Sequence, residues 1–170
     1  MIWKVAFIGD SGVGKTSLIH YFKKGTISDV TSTQGIDFYG FSRGDTKITV
    51  WDVAGQEWFR HLVVKFIEGA HIIVMVFDLS RLETLQNLVN FWADEVKKHS
   101  TETPFIIVVG NKKDIQTISD DTISEVLDNL RKKINYNIFI KTSAKTGENV
   151  HKLFDIIFEA AKIFLIIHKK

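Results

Sequence analysis

Apolar residues in this chain fall into short continuous runs separated by longer segments with helical patterning. Ile2–Ile8, Ile72–Asp78 and Phe105–Gly110 are dense in Val, Ile, Phe and Met and too short for helices. They predict strands buried on both faces. Lys15–Lys24, Leu82–His99, Asp120–Lys133 and Asn149–His168 read as helices, and Glu57–Glu68 as a weakly patterned one ending at Gly69. Ile36–Phe41 and Lys47–Asp52 flank Arg43-Gly44-Asp45, a hairpin signature, and Ile138–Lys141 is a last short strand. Gly25–Gly35 is polar and rich in Ser, Thr and Asp, so it predicts an exposed loop. Alternation of strand and helix predicts an α/β fold with a mainly parallel sheet covered on both faces, the hairpin adding one antiparallel edge strand. Ligands of such sheets bind at the carboxyl ends of the strands, and every polar motif here follows a strand.

Composition narrows the possibilities. A chain of 170 residues predicts one domain over 1–170 with a substantial core. Its 45% hydrophobic and 25% charged content is that of an ordinary globular protein. A net charge of +2 gives bulk electrostatics no pull toward nucleic acid or an anionic membrane. The absence of cysteine excludes disulfides, thiolate metal sites and thiol catalysis. The histidines (His20, His61, His71, His99, His151 and His168) lack metal-ligand spacing. The N-terminus enters a strand at once and no apolar run approaches membrane-spanning length, so neither a signal peptide nor a transmembrane segment is expected. The expected location is cytoplasmic, at most peripheral to a membrane.

Four motifs carry the chemistry. Gly9-Asp10-Ser11-Gly12-Val13-Gly14-Lys15-Thr16-Ser17 fits G-x-x-x-x-G-K-[ST] directly after a strand. Backbone N–H groups of Asp10, Ser11, Gly12, Val13 and Gly14, with the positive end of the next helix, suit a chain of phosphates. Lys15 reaches the β and γ phosphates, the Thr16 hydroxyl suits Mg²⁺, and Ser17 continues the helix start. In Trp51-Asp52-Val53-Ala54-Gly55-Gln56-Glu57, Asp52 is placed to hold Mg²⁺ through a water. Gly55 offers an N–H to a γ-phosphate, and Gln56 is placed to orient an attacking water. In Asn111-Lys112-Lys113-Asp114, the Asp114 carboxylate accepts from guanine N1–H and its exocyclic amine, a donor pair that adenine lacks. Asn111 suits the base edge and a tie to the phosphate loop, and the Lys112 stem suits the purine face. Thr142-Ser143-Ala144-Lys145 supplies backbone N–H groups for the guanine carbonyl.

With these motifs in this order, the chain resembles a small GTPase of the Ras superfamily, most like its Rab branch. Gly35-Ile36-Asp37-Phe38, Ile48-Thr49-Val50-Trp51-Asp52, Gly55-Gln56-Glu57, Gly69-Ala70 and Val76-Phe77-Asp78 carry the Rab-like likeness. The resemblance implies a P-loop GTPase fold of six strands and five helices that binds GTP or GDP with Mg²⁺. It implies two switch segments, roughly Thr26–Phe38 and Gly55–Phe66, ordered by the γ-phosphate. Thr33 matches the switch threonine that ligates Mg²⁺ and touches the γ-phosphate, which makes Thr16, Thr33 and Asp52 the expected metal set. Phe38, Trp51 and Phe66 match an aromatic triad presented to effectors, and activating and exchange factors are implied as further partners. A P-loop phosphotransferase would need an arginine-lined acceptor site, against only Arg43, Arg60, Arg81 and Arg131 in this chain. A nucleotide-locked binding module would have lost Gln56, Thr33 or Lys15, and all three are present.

The chain departs from the Rab pattern in its switches and at its end. Gln34 replaces a β-branched residue and Trp58 stands where arginine is common, which bears on partners rather than nucleotide. The prenylated cysteines usual in Rab-like tails are absent, while Leu165, Ile166 and Ile167 exceed what a core-facing helix stripe needs. The first switch holds no arginine, so slow intrinsic hydrolysis is expected, accelerated by about 10³–10⁵ when a partner supplies one. Ile27 stands where the family has an aromatic against the guanine, which predicts fast nucleotide release. Ile27→Phe is expected to slow release in a fluorescent-GDP chase; an unchanged rate would contradict this.

Overall fold

The computed structural model describes residues 1–24, 35–53, 55 and 60–168. In chain order the elements are β1 (Ile2–Ile8), α1 (Lys15–Lys24), β2 (Ile36–Arg43), β3 (Thr46–Val53), α2 (Arg60–Ile67) and β4 (Ile72–Asp78). Helix α3 follows as α-helix over Leu82–Asn87, a π-helical turn over Leu88–Trp92 and α-helix again over Ala93–His99. Then come β5 (Phe105–Asn111), α4 (Asp120–Lys133), β6 (Ile138–Lys141) and α5 (Val150–His168). The strands form one sheet in the order β2-β3-β1-β4-β5-β6. Only β2 and β3 pair antiparallel; the other pairs are parallel. This is the α/β arrangement predicted from the hydrophobic runs.

Burial explains why those runs are continuous rather than alternating. Trp3, Val5 and Phe7 of β1 face one layer, with Leu18 and Ile19 of α1 and Leu153, Phe154, Ile157 and Phe158 of α5. Ala6 and Ile8 face the other, with Val63 of α2, Leu85, Leu88 and Trp92 of α3 and Leu127 and Leu130 of α4. Every residue of β4 is buried, because helices cover both sides. Phe154 organises the first layer: its ring stacks on Phe22 at 3.9 Å and 2° and lies 6.1 Å from Phe7. Helix α4 has complete end signals, with Ser119 Oγ accepting from Thr122 N–H, Asp120 and Asp121 in its first turn and Arg131-Lys132-Lys133 in its last.

The structure differs from the sequence reading at a few boundaries. β2 and β3 run closer to their turn than expected, since Gly44 at φ +57° lets the chain reverse tightly. β5 extends one residue to Asn111, which pairs in register with Asp78. The 82–99 helix carries a π turn that no periodicity signals. A short 3₁₀ turn at Lys113–Ile115 was also unpredicted. At the end of α5, Ile166 and Ile167 are exposed as the excess of apolar residues implied, and Ile163 joins them. Among the described residues, no helix is long and apolar enough to cross a membrane.

β1 has β3 on one side and β4 on the other, so the winding direction of the sheet changes at β1. The loops leaving β1, β3, β4, β5 and β6 therefore gather at one rim, around the crevice where such sheets bind ligands.

Candidate nucleotide-binding site

Gly9–Gly14 turns between β1 and α1. At Gly14, with φ +101°, a Cβ would lie 2.2 Å from Asn111 Nδ2, so any side chain there would push the base loop away. Lys15 opens α1 yet is buried, and its Nζ donates to the carbonyl oxygens of Gly9 (2.8 Å) and Asp10 (2.9 Å). Burial, chiefly, and then Arg81 outweigh the pull of Asp52 and Asp10 and hold the ammonium pKa down to about 8. A desolvated cation framed by its own loop's carbonyls is a ready partner for an anion.

Asp52, next to last in β3, is fully buried beside Phe7 of β1 in the parallel register. Its Oδ2 accepts from Thr16 Oγ1. This pair of hard oxygen donors fits Mg²⁺, which keeps waters and takes remaining ligands from phosphates. Among the described residues no group of three or more His, Cys, Asp or Glu forms a cage. Gly55 packs directly on the phosphate loop: a Cβ there would lie 2.2 Å from Gly9 O and 2.5 Å from Ser11 N.

Asp10 divides its groups. Its carbonyl meets Lys15, but its carboxylate turns away from the loop's mouth. Oδ1 accepts from Trp92 Nε1 (2.8 Å) and Arg60 Nη2 (3.0 Å), and Oδ2 from Asn87 Nδ2 (2.6 Å). Arg60 also lies over the Phe91 ring at 4.5 Å. The phosphate loop is thereby fixed to α2 and α3, and the π turn of α3 brings Trp92 round to it.

The base loop is built around Asn111, which is 1% exposed. Its Nδ2 donates to Val13 O (2.9 Å), and its Oδ1 accepts from Thr142 Oγ1 (3.0 Å) and Ala144 N–H (3.2 Å). The expected tie to the phosphate loop is present, while the amide is committed to the protein rather than to a base edge. Ser143 Oγ donates to Asp114 Oδ1 at 2.6 Å and so orients that carboxylate. Ser143 N–H is bonded to Glu148 O and Ala144 N–H to Asn111. Of the Thr142–Lys145 amides, Lys145 N–H is left as the donor for a base carbonyl. A cavity of about 220 Å³ opens here, lined by Gly14, Ser17, Asn111, Lys112, Asp114, Ile115, Ala144 and Lys145. Lys112 borders it with its backbone in the left-handed region, φ 64°.

Two residues that the motifs did not flag join this site. Asp78, at the end of β4, is 1% exposed and accepts from Ser80, Arg81 and Lys112. Burial pushes its carboxyl up, but those bonds outweigh it and hold the pKa below the ordinary value. Arg81 passes on to Ser11 O through Nη2 at 3.0 Å. An Asp ending an apolar strand was the available signal; nothing in the sequence paired it with Arg81 or Lys112.

Away from the rim, Phe38, Trp51 and Phe66 form a continuous surface. Phe38 and Trp51 are cross-strand partners with rings 4.7 Å apart, and Phe66 lies 5.1 Å from Trp51. Lys4 Nζ sits 4.0 Å over the Trp51 ring. Thr33, Gln56, Ile27, Gln34 and Trp58, with residues 26–34 of the first switch segment and 56–59 of the second, lie outside the described residues.

A parallel sheet with a phosphate loop at its switch point and an Asp-lined base cavity beside it defines a P-loop guanine-nucleotide-binding protein. The Ras family model matches residues 4–163. The chain is 38% identical over 160 residues to Ras-related protein RABC2a of Arabidopsis thaliana, covering 90% of this chain and 74% of that protein. It is 39% identical over 160 residues to RABC1 of the same plant, with 91% and 74% covered. Against Ras-related protein Rab-1 of Theileria parva it is 34% identical over 169 residues, with 95% and 74% covered. The chain belongs to the Ras family and is a Rab-like small GTPase.

The buried lysine makes a pH prediction for nucleotide-free protein. Its folded pKa of about 8 lies below the ordinary 10.5, so between these values the unfolded chain binds more protons than the folded one. Stability therefore rises with pH across that window. Denaturation titrations are expected to show this rise in the wild type and a smaller one in Lys15→Met; equal rises would contradict the placement of Lys15.

Proposed function

We propose that this protein is a switch that binds GTP or GDP with Mg²⁺, hydrolyses GTP slowly to GDP and phosphate, and acts in membrane traffic. The observation that carries the reading is Lys15, buried in its carbonyl frame beside Thr16 and Asp52 and one loop from the cavity that Asp114 borders. Asp10–Ser17 hold the phosphates, through backbone N–H groups and the Lys15 ammonium. Asn111, Lys112, Asp114, Ser143, Ala144 and Lys145 form the base site. In it Asp114 reads the guanine edge, while Asn111 and Ser143 act by holding the loops. Thr16 and Thr33, with Asp52 through a water, would hold Mg²⁺, which would neutralise charge on the phosphate oxygens. Gln56 orients the attacking water and Gly55 N–H receives the terminal phosphate.

Phe38, Trp51 and Phe66 serve as the effector surface, since aromatic side chains packed against one another supply large rigid contact area. The Rab names of the relatives support the assignment to membrane traffic, with the protein on the cytoplasmic side and peripheral to a membrane. Activating and exchange factors act on the switch segments.

Incubation with GTP and analysis of products tests this directly. Phosphate and GDP are expected, and Gln56→Leu should slow their formation at least about ten-fold while leaving nucleotide affinity in place. Phosphoryl transfer to an acceptor, or tight GTP binding with no turnover under any condition, would overturn the reading.

A further inference from the structure

One oxygen of Asp78 lies between the two halves of the site. Oδ1 accepts from Ser80 N–H (2.8 Å) and Ser80 Oγ (2.6 Å), which closes the local turn. Oδ2 has a different task. It accepts from Arg81 Nε at 3.0 Å and from Lys112 Nζ at 3.0 Å. Arg81 continues to the phosphate loop, donating Nη2 to Ser11 O at 3.0 Å, with its guanidinium 3.4 Å from where a Cβ on Gly12 would be. Lys112 continues to the base cavity, which it lines. Its left-handed backbone is one that a lysine adopts only under constraint.

We propose that Asp78 is a positioning residue for nucleotide retention. Through Oδ2 it holds Lys112 along the base cavity and Arg81 against the phosphate loop, so the two grips hold and release together. The inference rests on reading that cavity as the guanine site. The division of labour between the oxygens supports it. The turn needs only Oδ1, whereas Oδ2 is given wholly to two cations that otherwise repel each other. Asp78 is buried while Arg81 and Lys112 reach solvent, so it is the carboxylate that cannot exchange its partners for water. Asp78 touches neither phosphate nor base in this arrangement; it acts through its partners.

Asp78→Asn is the fitting test, because the amide oxygen still serves Ser80 while its NH₂ replaces Oδ2 opposite two donors. Release of fluorescent GDP from Mg²⁺-loaded full chain is expected to quicken at least about ten-fold, the range for losing hydrogen bonds to a charged group. Inosine diphosphate should be released faster by the same factor, since Lys112 contacts the purine face and not its edge. In a chain carrying Arg81→Ala and Lys112→Met, adding Asp78→Asn should change release less than two-fold. Quickening of equal size in both backgrounds would mean a merely structural role and overturn the proposal; so would no quickening in the wild-type background. Should Asp78→Asn not fold, Lys112→Met and Arg81→Ala each tested alone must still quicken release, and failure of both overturns it. Asp114→Asn separates this from the underlying reading. If that change leaves the preference for GDP over xanthosine diphosphate intact, the cavity is not the guanine site and the proposal falls with it.

Discussion

The site depends on an ammonium group placed where it is uncomfortable. Lys15 is drawn out of water at the first turn of α1 and held by two carbonyls of the loop it terminates. Burial weakens its hold on its proton, against the pull of the nearby Asp52 and Asp10 carboxylates. Negative charge in front of the loop relieves the tension that those carboxylates leave. Desolvation of Lys15 therefore suits this loop to an anion before any particular contact does.

Keeping that arrangement requires the loop to be held from behind, and several interactions do so at once. Asn111 fastens Val13 to the 142–144 segment, Asp10 fastens the loop to α2 and α3, and Arg81 reaches Ser11. These partners come from β5, α2, α3 and the turn after β4. Only a sheet whose winding reverses at β1 brings those elements to one rim. The buried polar groups are thus concentrated where ligand geometry must be exact, consistent with fully bonded networks rigidifying the regions they occupy.

Much of the architecture was legible because the strands are buried on both faces. β1, β4 and β5 read as unbroken apolar runs for that reason, and the helices between them carry plain stripes. The phosphate loop and base motif were legible because close backbone approach demands glycine at fixed spacing, and the structure places Gly14 and Gly55 where no Cβ fits. Side-chain direction was not legible. Asp10 belongs to the loop by sequence, yet its carboxylate faces Arg60 of α2 and Asn87 and Trp92 of α3. Asn111 carries the bonds between loops where base-edge contact was also expected. Asp78 and Arg81 stayed hidden because Lys112 and Ser11, the partners that link them to the two loops, are distant in sequence and carry no spacing rule.

Calorimetry on folded, nucleotide-stripped protein with Mg²⁺ tests the central claim most directly. Tight one-to-one uptake of GDP and of GTP, with no heat from ATP, is the predicted result. Indifference to guanine nucleotides, or ATP taken up in their place, would contradict the account.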